Sequence, residues 1–238
     1  MIILERREKI LAILEEKRTA TFRELADQLF ISEASVRRDV EALEKAGQVR
    51  RIYGGVVLEK FHNAVVPLGF REGENSQIKE DLARRAADMV QDGDTIMLDA
   101  SSTVRRMIKY LGSKRGLKII TNNLRIFSEE VPAEAQLYCT GGLFNAQNEM
   151  FYGAGAERYI RSLYADKCFF SSQGISEDGK ISDASEEETA LRRMMLSHSA
   201  QKIFLCDSSK IGVRRMFFLC GKEDVDEIVC NVKLPWEE

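Results

Sequence analysis

Six short apolar runs constrain this chain more than any other feature of it: TIMLD (95–99), LKIIT (117–121), QLYCT (136–140), KCFFS (167–171), KIFLC (202–206) and DEIVC (226–230). Each is strand length, and stretches of helical periodicity separate most of them, near 77–90, 103–111, 124–130, 155–163 and 186–198. Five or six strands alternating with helices predict an α/β domain built on a mainly parallel sheet. No apolar run approaches the ~18 residues that a membrane-spanning helix needs.

In such a sheet, ligands bind beyond the carboxyl ends of the strands, at a topological switch point. The residues just after each run therefore carry the functional information. TIMLD leads into Ala100, Ser101, Ser102 and Thr103; LKIIT ends in Thr121 and leads to Asn122 and Asn123; QLYCT leads to Gly141 and Gly142. KCFFS leads to Ser172, Gln173 and Gly174, and KIFLC to Asp207, Ser208, Ser209 and Lys210. Five consecutive strand ends finish in small hydroxyl, amide or glycine residues with one lysine, which points to a polar small-molecule site. Ser101, Ser102 and Thr103 at a helix N-terminus offer amide N–H groups and hydroxyls to a phosphate. Lys210 adds a cation, and Asp99, Asp183 and Glu188 are placed to accept hydrogen bonds from sugar hydroxyls.

The first sixty residues follow different rules. Ile10, Leu11, Ile13 and Leu14 form the apolar stripe of one helix. Thr21 with Glu24 three positions later is a capping-box pattern opening a second, which buries Phe22, Leu25, Ala26 and Leu29. Ser32 caps a third, EASVRRDVEALEKAG, which Gly47 terminates. QVRRIYGGVVL then alternates around Gly54 and Gly55 as a β-hairpin. On the third helix Val36, Val40 and Leu43 face inward. Arg38 lies about 200° around the axis from Val36 and points outward with Ser35, while Arg37 flanks it. Cations at the start of this helix and Glu41 and Glu44 near its end oppose the preference of the helix dipole, so the N-terminal turns are expected to meet something anionic. Two helices joined by a tight turn, the second presenting serine and arginine, is a layout for the DNA major groove. Arg50 and Arg51 are expected against flanking phosphates with Tyr53 beside them, and the carboxylates after the arginines are expected to temper their affinity.

The segment from RREKILAILEEK through SVRRDVEALEKAGQVRRIYGG resembles the winged helix-turn-helix of the DeoR family of bacterial transcriptional regulators. GDTIMLDASST, IITNN, TGG, FFSSQGI, EEETALRR and DSSKIG resemble the C-terminal sensor domain of that family, whose fold is similar to ribose-5-phosphate isomerase. The resemblance covers nearly the whole chain. It implies a DNA-binding domain at 1–58 and an effector-binding domain at 76–238; between them, residues 59–75 lose periodicity, carry Pro67 and glycines, and read as a linker. It further implies contacts to a double-stranded operator through Ser32, Ser35, Arg37, Arg38, Arg51 and Tyr53. The effector it implies is a phosphorylated sugar or sugar derivative, bound by Asp99, Ser101, Ser102, Thr103, Thr121, Asn122, Asn123, Gly142, Gln173, Gly174, Asp183, Glu188 and Lys210. A homodimer or homotetramer would read paired half-sites, as a repressor of a carbohydrate operon. One departure is the tail SST where the family more often has GTT, which adds hydroxyls and a Cβ where backbone would approach the ligand.

The alternative is a sugar-phosphate isomerase fused to a DNA-binding module. Aldose–ketose isomerisation needs a carboxylate base, and the isomerases carry an acidic cluster where this chain has Ser171, Ser172 and Gln173, so no catalytic residue is expected. The formal charge of −3 argues against coating nucleic acid by bulk charge but permits a small basic reading face. The five cysteines form no C-x-x-C pair, and no secretory signal segment precedes them, which fits a reducing cytoplasm. Neither of the two histidines lies near a cysteine at ligand spacing, so neither a metal nor a cofactor is expected. Arg214 and Arg215 read first as a solvated pair, then as a subunit contact or a lid.

Overall fold

The computed structural model describes residues 3–59 and 68–236. The chain forms two units, Met1–Glu74 and Asn75–Glu238.

In the first unit, α1 (Ile3–Lys17) buries Ile10 and Leu14. A short strand β1 (Thr19–Thr21), too brief for periodicity to reveal, runs directly into α2 (Phe22–Leu29). Thr21 caps α2 through the reciprocal pair expected, accepting from the Glu24 amide while Glu24 accepts from the Thr21 amide at 2.7 Å. That backbone donor holds the Glu24 carboxyl below its ordinary range. Phe30 closes α2 in the left-handed region (φ 54°), an uncommon place for a bulky residue.

Ser32 caps α3 (Glu33–Lys45), and Val36, Val40 and Leu43 pack into the core with residues of α1 and α2. The helix ends in a Schellman turn: the Gln48 amide donates to Leu43 O and the Gly47 amide to Glu44 O, with Gly47 at φ 68°. The wing is a hairpin of β2 (Val49–Ile52) and β3 (Gly55–Leu58), and β1 pairs with the free edge of β3 to make a three-stranded sheet.

The stretch read as a linker holds more structure than its composition implies. Residues 60–67, with Pro67, lie outside the described residues, but Leu68–Gly73 form a helix, α4. Phe70 of α4 packs with Ile52 and Val57 of the wing. A Cβ at Gly55 would meet Phe70 Cε1 at 2.6 Å, and one at Gly73 would meet the Tyr53 ring at 2.0 Å, so two glycines admit this contact. Fewer than two helical turns leave little periodic pattern to read.

The second unit begins with α5 (Ser76–Asp88) and holds a six-stranded parallel sheet. Its strands are β4 (Thr95–Leu98), β5 (Lys118–Thr121), β6 (Gln136–Cys139), β9 (Ala165–Phe170), β12 (Ser199–Cys206) and β14 (Glu227–Cys230), in the order β14-β12-β9-β4-β5-β6. All six apolar runs are strands of this sheet. Alternate residues feed two cores: Ile96, Leu98 and Phe169 pack with α5 residues on one face. On the other, Met97, Cys168 and Phe170 pack with α6 (Ala154–Arg161) and α7 (Glu186–Ser197).

Two of the expected helices, Val104–Tyr110 and Leu124–Ser128, are 3₁₀ segments. The sequence pattern did not separate out two further β elements. A hairpin, β7 (Leu143–Asn145) and β8 (Met150–Tyr152), stands apart from the main sheet. The other is a small antiparallel sheet of β10 (Gly174–Ile175), β11 (Lys180–Asp183) and β13 (Phe217–Gly221). Arg214 forms a solvated pair with Asp178 at 3.0 Å.

Candidate functional sites: an arginine face and a buried polar rim

On α3 the cap arranges the face. Ser32 Oγ accepts from the Ser35 amide and lies 3.0 Å from Ser35 Oγ, and the Arg38 guanidinium donates to Ser35 Oγ at 3.2 Å. Ser32, Ser35 and Arg38 thus form one hydrogen-bonded chain at the N-terminal end of the helix. Arg37 is exposed, pairs with Glu33 at 3.4 Å and lies 4.3 Å from the centroid of Phe22. Arg51 and Tyr53 are both exposed on the wing. Phe30, at the turn before α3, is 93% exposed.

The acidic residues among these arginines have structural partners. Asp39 is buried and receives both Arg6 and Arg7 of α1, tying α1 to α3. Glu44 accepts from the Arg51 amide at 2.8 Å and from its side chain, fixing the wing to the end of α3, and Glu41 pairs with Lys45. Their positions answer to packing and ion pairing within the unit. A helical wheel alone does not show that Asp39 faces α1.

In the second unit the chain reverses direction across the sheet between β4 and β9, and the residues beyond those two strands meet. Asp99, after β4, accepts from the Ser101 amide at 3.0 Å and the Ser171 amide at 3.1 Å. It also accepts from Arg192 Nε at 2.8 Å. Arg192 projects from α7, is 4% exposed, and reaches Asp183 at 3.0 Å and Glu188 at 3.4 Å. Burial alone pulls its pKa down, but Asp99, Asp183 and Glu188 more than reverse this and raise it. Glu188 accepts in turn from Asn148 Nδ2 at 2.9 Å, on the turn between β7 and β8. On the other side, Lys210 Nζ donates to Ser171 Oγ at 2.7 Å and lies 3.7 Å from Asp207. Asp207 is buried. Desolvation pushes its pKa up, but Lys210, the Ser209 hydroxyl and Lys79 bring it below the ordinary range.

One hydrogen-bonded network therefore runs from Lys210 through Ser171, Asp99 and Arg192 to Glu188 and Asn148. It joins Asp99, Asp183, Glu188 and Lys210 of the expected set with residues that sequence reasoning did not place in the site: Arg192, Ser171 and Asn148. Asp207, one of the strand-end residues, lies beside Lys210. Arg192 sits four residues after Glu188, the spacing at which helical side chains meet, and that spacing was the available signal for it.

The amides of the rim are incompletely satisfied. Asn122 donates to Phe151 O and Asn123 accepts from the Arg125 amide. Asn122 Oδ1, Asn123 Nδ2, Asn148 Oδ1 and Gln173 Nε2 are buried atoms without a hydrogen-bond partner. Buried polar atoms rarely stay unpaired unless a water, ion or ligand meets them. A cavity of about 10 Å³, the size of one water, lies between Asp99, Asn122, Glu188, Arg192 and the apolar Met150 and Met195.

Other expected contacts have local duties. Ser101 Oγ accepts from the Val104 amide, and Thr121 Oγ1 from the Asn123 amide. Ser102 and Thr103 are buried beside them, and Thr103 makes no side-chain cap bond to the 3₁₀ segment it precedes. A Cβ at Gly142 would meet Tyr152 O at 2.6 Å, and one at Gly174 would meet Val213 O at 2.4 Å. Close approach within the protein thus accounts for both glycines. Among the described residues no cluster of histidine, cysteine and carboxylate groups could hold a metal ion, and no helix is long and apolar enough to cross a membrane.

A winged helix-turn-helix with an exposed arginine face, followed by an α/β domain with a polar rim at its switch point, defines a DNA-binding regulator with a sensor domain. Residues 6–61 match the DeoR-like helix-turn-helix domain and residues 74–231 the DeoR C terminal sensor domain. The HTH-type transcriptional regulator YulB of Bacillus subtilis (strain 168) is 32% identical over 97% of this chain and 90% of its own length. The HTH-type transcriptional repressor GlcR of the same strain is 29% identical over 97% of this chain and 89% of its own length. The lactose phosphotransferase system repressor of Staphylococcus epidermidis (strain ATCC 12228 / FDA PCI 1200) is 29% identical over 95% and 91%. A D-ribose-5-phosphate isomerase in complex with phospho-erythronic acid superposes with a TM-score of 0.43 at 13% identity, over 57% of this chain and 54% of that one, too slight a likeness to carry an argument. The chain belongs to the DeoR family of DNA-binding transcriptional regulators. Its relatives along nearly the whole length are regulators, not isomerases.

Proposed function

We propose that the protein is a repressor of a carbohydrate operon whose hold on its operator is set by a phosphorylated sugar or sugar derivative at the strand-end rim. The observation that carries the ligand site is the group of four buried amide atoms without partners beside the Lys210–Ser171–Asp99–Arg192 network. Asn122, Asn123 and Gln173 offer unused donors and acceptors. Lys210, with Ser101, Ser102 and Thr103, is the side suited to an anionic group. The cavity of about 10 Å³ beside Arg192 admits no sugar, so a ligand that is to reach Asn122 and Glu188 there requires that side of the rim to open. The β7–β8 hairpin forms the wall on that side: it meets the rim through Phe151 N to Asn122 O, Leu124 N to Glu149 O and the Arg125–Glu149 pair.

On DNA, α3 enters the major groove with Ser35, Arg37 and Arg38 toward base edges and phosphates, while Ser32, Arg51 and Tyr53 meet the flanking backbone. Two copies, as a homodimer or within a homotetramer, read half-sites about one helical turn apart or a multiple of it. An effector that favours the conformation unable to place both helices releases the operator by an amount set by its differential affinity.

The test is a gel shift on DNA flanking the protein's own gene, at near-physiological salt with competitor DNA, with phosphorylated and unphosphorylated sugars compared. A specific complex that only phosphorylated sugars dissociate or strengthen supports the reading. A complex indifferent to every phosphorylated sugar, or answering equally to unphosphorylated ones, overturns the effector assignment.

A further inference from the structure

Cys206 and Cys230 end neighbouring strands of the parallel sheet and are register partners. Register partners on adjacent parallel strands point to the same face, with Cα atoms about 4.8 Å apart, inside the ~4.4–6.8 Å that a disulfide spans. Both side chains lie in the same core cluster, and the Cys206 thiol donates to the Asp207 carbonyl at 3.5 Å. The other cysteines lack this arrangement. Burial pushes the Cys168 and Cys220 thiols up. Cys139 ends β6, where its register partner is Thr121.

We infer that Cys206 and Cys230 are a peroxide-responsive thiol pair that closes to a reversible disulfide at the end of the sheet. Cys230, at 9% exposure against 0% for Cys206, is the entry point. The neighbouring Cys206 thiol, and after it the nearby backbone amides, outweigh desolvation and lower the Cys230 thiol below the ordinary cysteine value. The Cys230 thiolate attacks a hydroperoxide, the O–O bond breaks, and a sulfenic acid forms as hydroxide or alkoxide leaves, taking up the proton the thiol gave up to become water or alcohol. The Cys206 sulfur then attacks the sulfenic sulfur, its proton leaves with the departing hydroxide as water, and the S–S bond forms. Two thiols are oxidised and one peroxide is reduced.

The pair is wired to the rim. Asp207–Lys210 come directly after Cys206, and Asn231 directly after Cys230. Asn231 Oδ1 accepts from the Ser208 amide at 2.8 Å, and Asn231 Nδ2 donates to Ser208 Oγ at 3.3 Å. Closing the disulfide takes the Cys206 thiol from the Asp207 carbonyl and shifts the loop that carries Asp207 and Lys210. An effect on effector response rests on the function proposed above; the thiol chemistry does not.

The experiment treats the reduced full-length protein with hydrogen peroxide, quenches with an alkylating agent under denaturing conditions, and maps peptides by mass. Alkylatable thiols should fall from five to three, with the Cys206 and Cys230 peptides joined, and return on addition of dithiothreitol. Cys206→Ala and Cys230→Ala should each abolish the link, whereas Cys139→Ala should leave it. Oxidation of Cys139 ahead of this pair, or a bridge involving another cysteine, overturns the assignment. Coupling is read without any effector, by hydrogen exchange at the 207–210 amides: a change in oxidised wild type that Cys206→Ala lacks supports it, and identical exchange overturns it. A mapped disulfide in a protein deaf to all sugar phosphates sinks the effector reading and leaves the redox pair standing.

Discussion

Arginine is used in opposite ways in the two units. On α3, Arg37 and Arg38 stand in solvent, held by a carboxylate or a serine hydroxyl at 3.2–3.4 Å. Beneath the strand ends, Arg192 is 4% exposed and is shared by three carboxylates. Exposed ion pairs contribute little to stability, so the α3 cations can exchange their partners for phosphate at small cost. A buried guanidinium cannot be removed without stranding its carboxylates. The first arrangement leaves charge available for a partner. The second uses charge to hold the ends of β4, β11 and α7 in one geometry. Asp39 shows the buried pattern inside the DNA-binding unit too, where it joins α1 to α3 through Arg6 and Arg7.

The contrast can be broken at its strongest point. Arg192→Met leaves Asp99, Asp183 and Glu188 buried without their cation and should lower stability by about 3–5 kcal/mol. Urea denaturation followed through the second unit reads this, and a loss near zero would mean that the carboxylates are not held by Arg192.

Arg38→Ala should do the converse. Operator affinity should fall by about 1–3 kcal/mol, while stability stays within about 0.5 kcal/mol of wild type. Fluorescence anisotropy on the operator and a thermal melt separate the two quantities, and a destabilised variant with unchanged affinity would reverse the two roles.

A smaller effect sharpens the picture of the turn. Phe30 is 93% exposed at φ 54°, so it buries nothing in return for its conformation. Phe30→Asn, a residue that tolerates the left-handed region, should raise stability by up to about 1 kcal/mol, visible as a higher melting temperature. No gain would show that the Phe30 ring is held by a contact the fold supplies.

The smallest effect at neutral pH is at Asp207, whose folded pKa is lowered. The unfolded state then binds more protons than the folded state as pH falls toward the ordinary aspartate value, so stability declines with acidification. The contribution is present above about pH 3.9 and is lost as pH falls through the lowered folded value. Acid denaturation of wild type against Asp207→Asn checks this: the variant should lose part of the acid-side slope.

Much of the molecule was legible in order along the chain because the chemistry is local. Thr21 and Glu24 lie one helical turn apart and cap α2, Ser32 caps α3, and Gly47 supplies the positive φ that ends it. The six apolar runs announce a parallel sheet because strands buried on both faces need no polar alternation. Local pattern also singled out the polar residues at the strand ends, since they are the immediate chain neighbours of the apolar runs, but not Arg192 or Asn148, which lie on α7 and on the β7–β8 turn. It could not decide that 104–110 and 124–128 would be 3₁₀ segments, a difference of one residue in hydrogen-bond spacing.

What the sequence by itself determined is the six strands of the parallel sheet, the three helices and wing of the first unit, and the identity of the polar strand ends. Only the tertiary structure decided what those side chains touch. Asp99 and Arg192 are 93 residues apart, Asn75 and Asp207 132, and Arg6 and Asp39 33. Periodicity reports which way a side chain faces on its own element. It carries no information about which distant element the fold will bring opposite, and in a buried site that partner decides whether a carboxylate is free for a ligand or bound to an arginine.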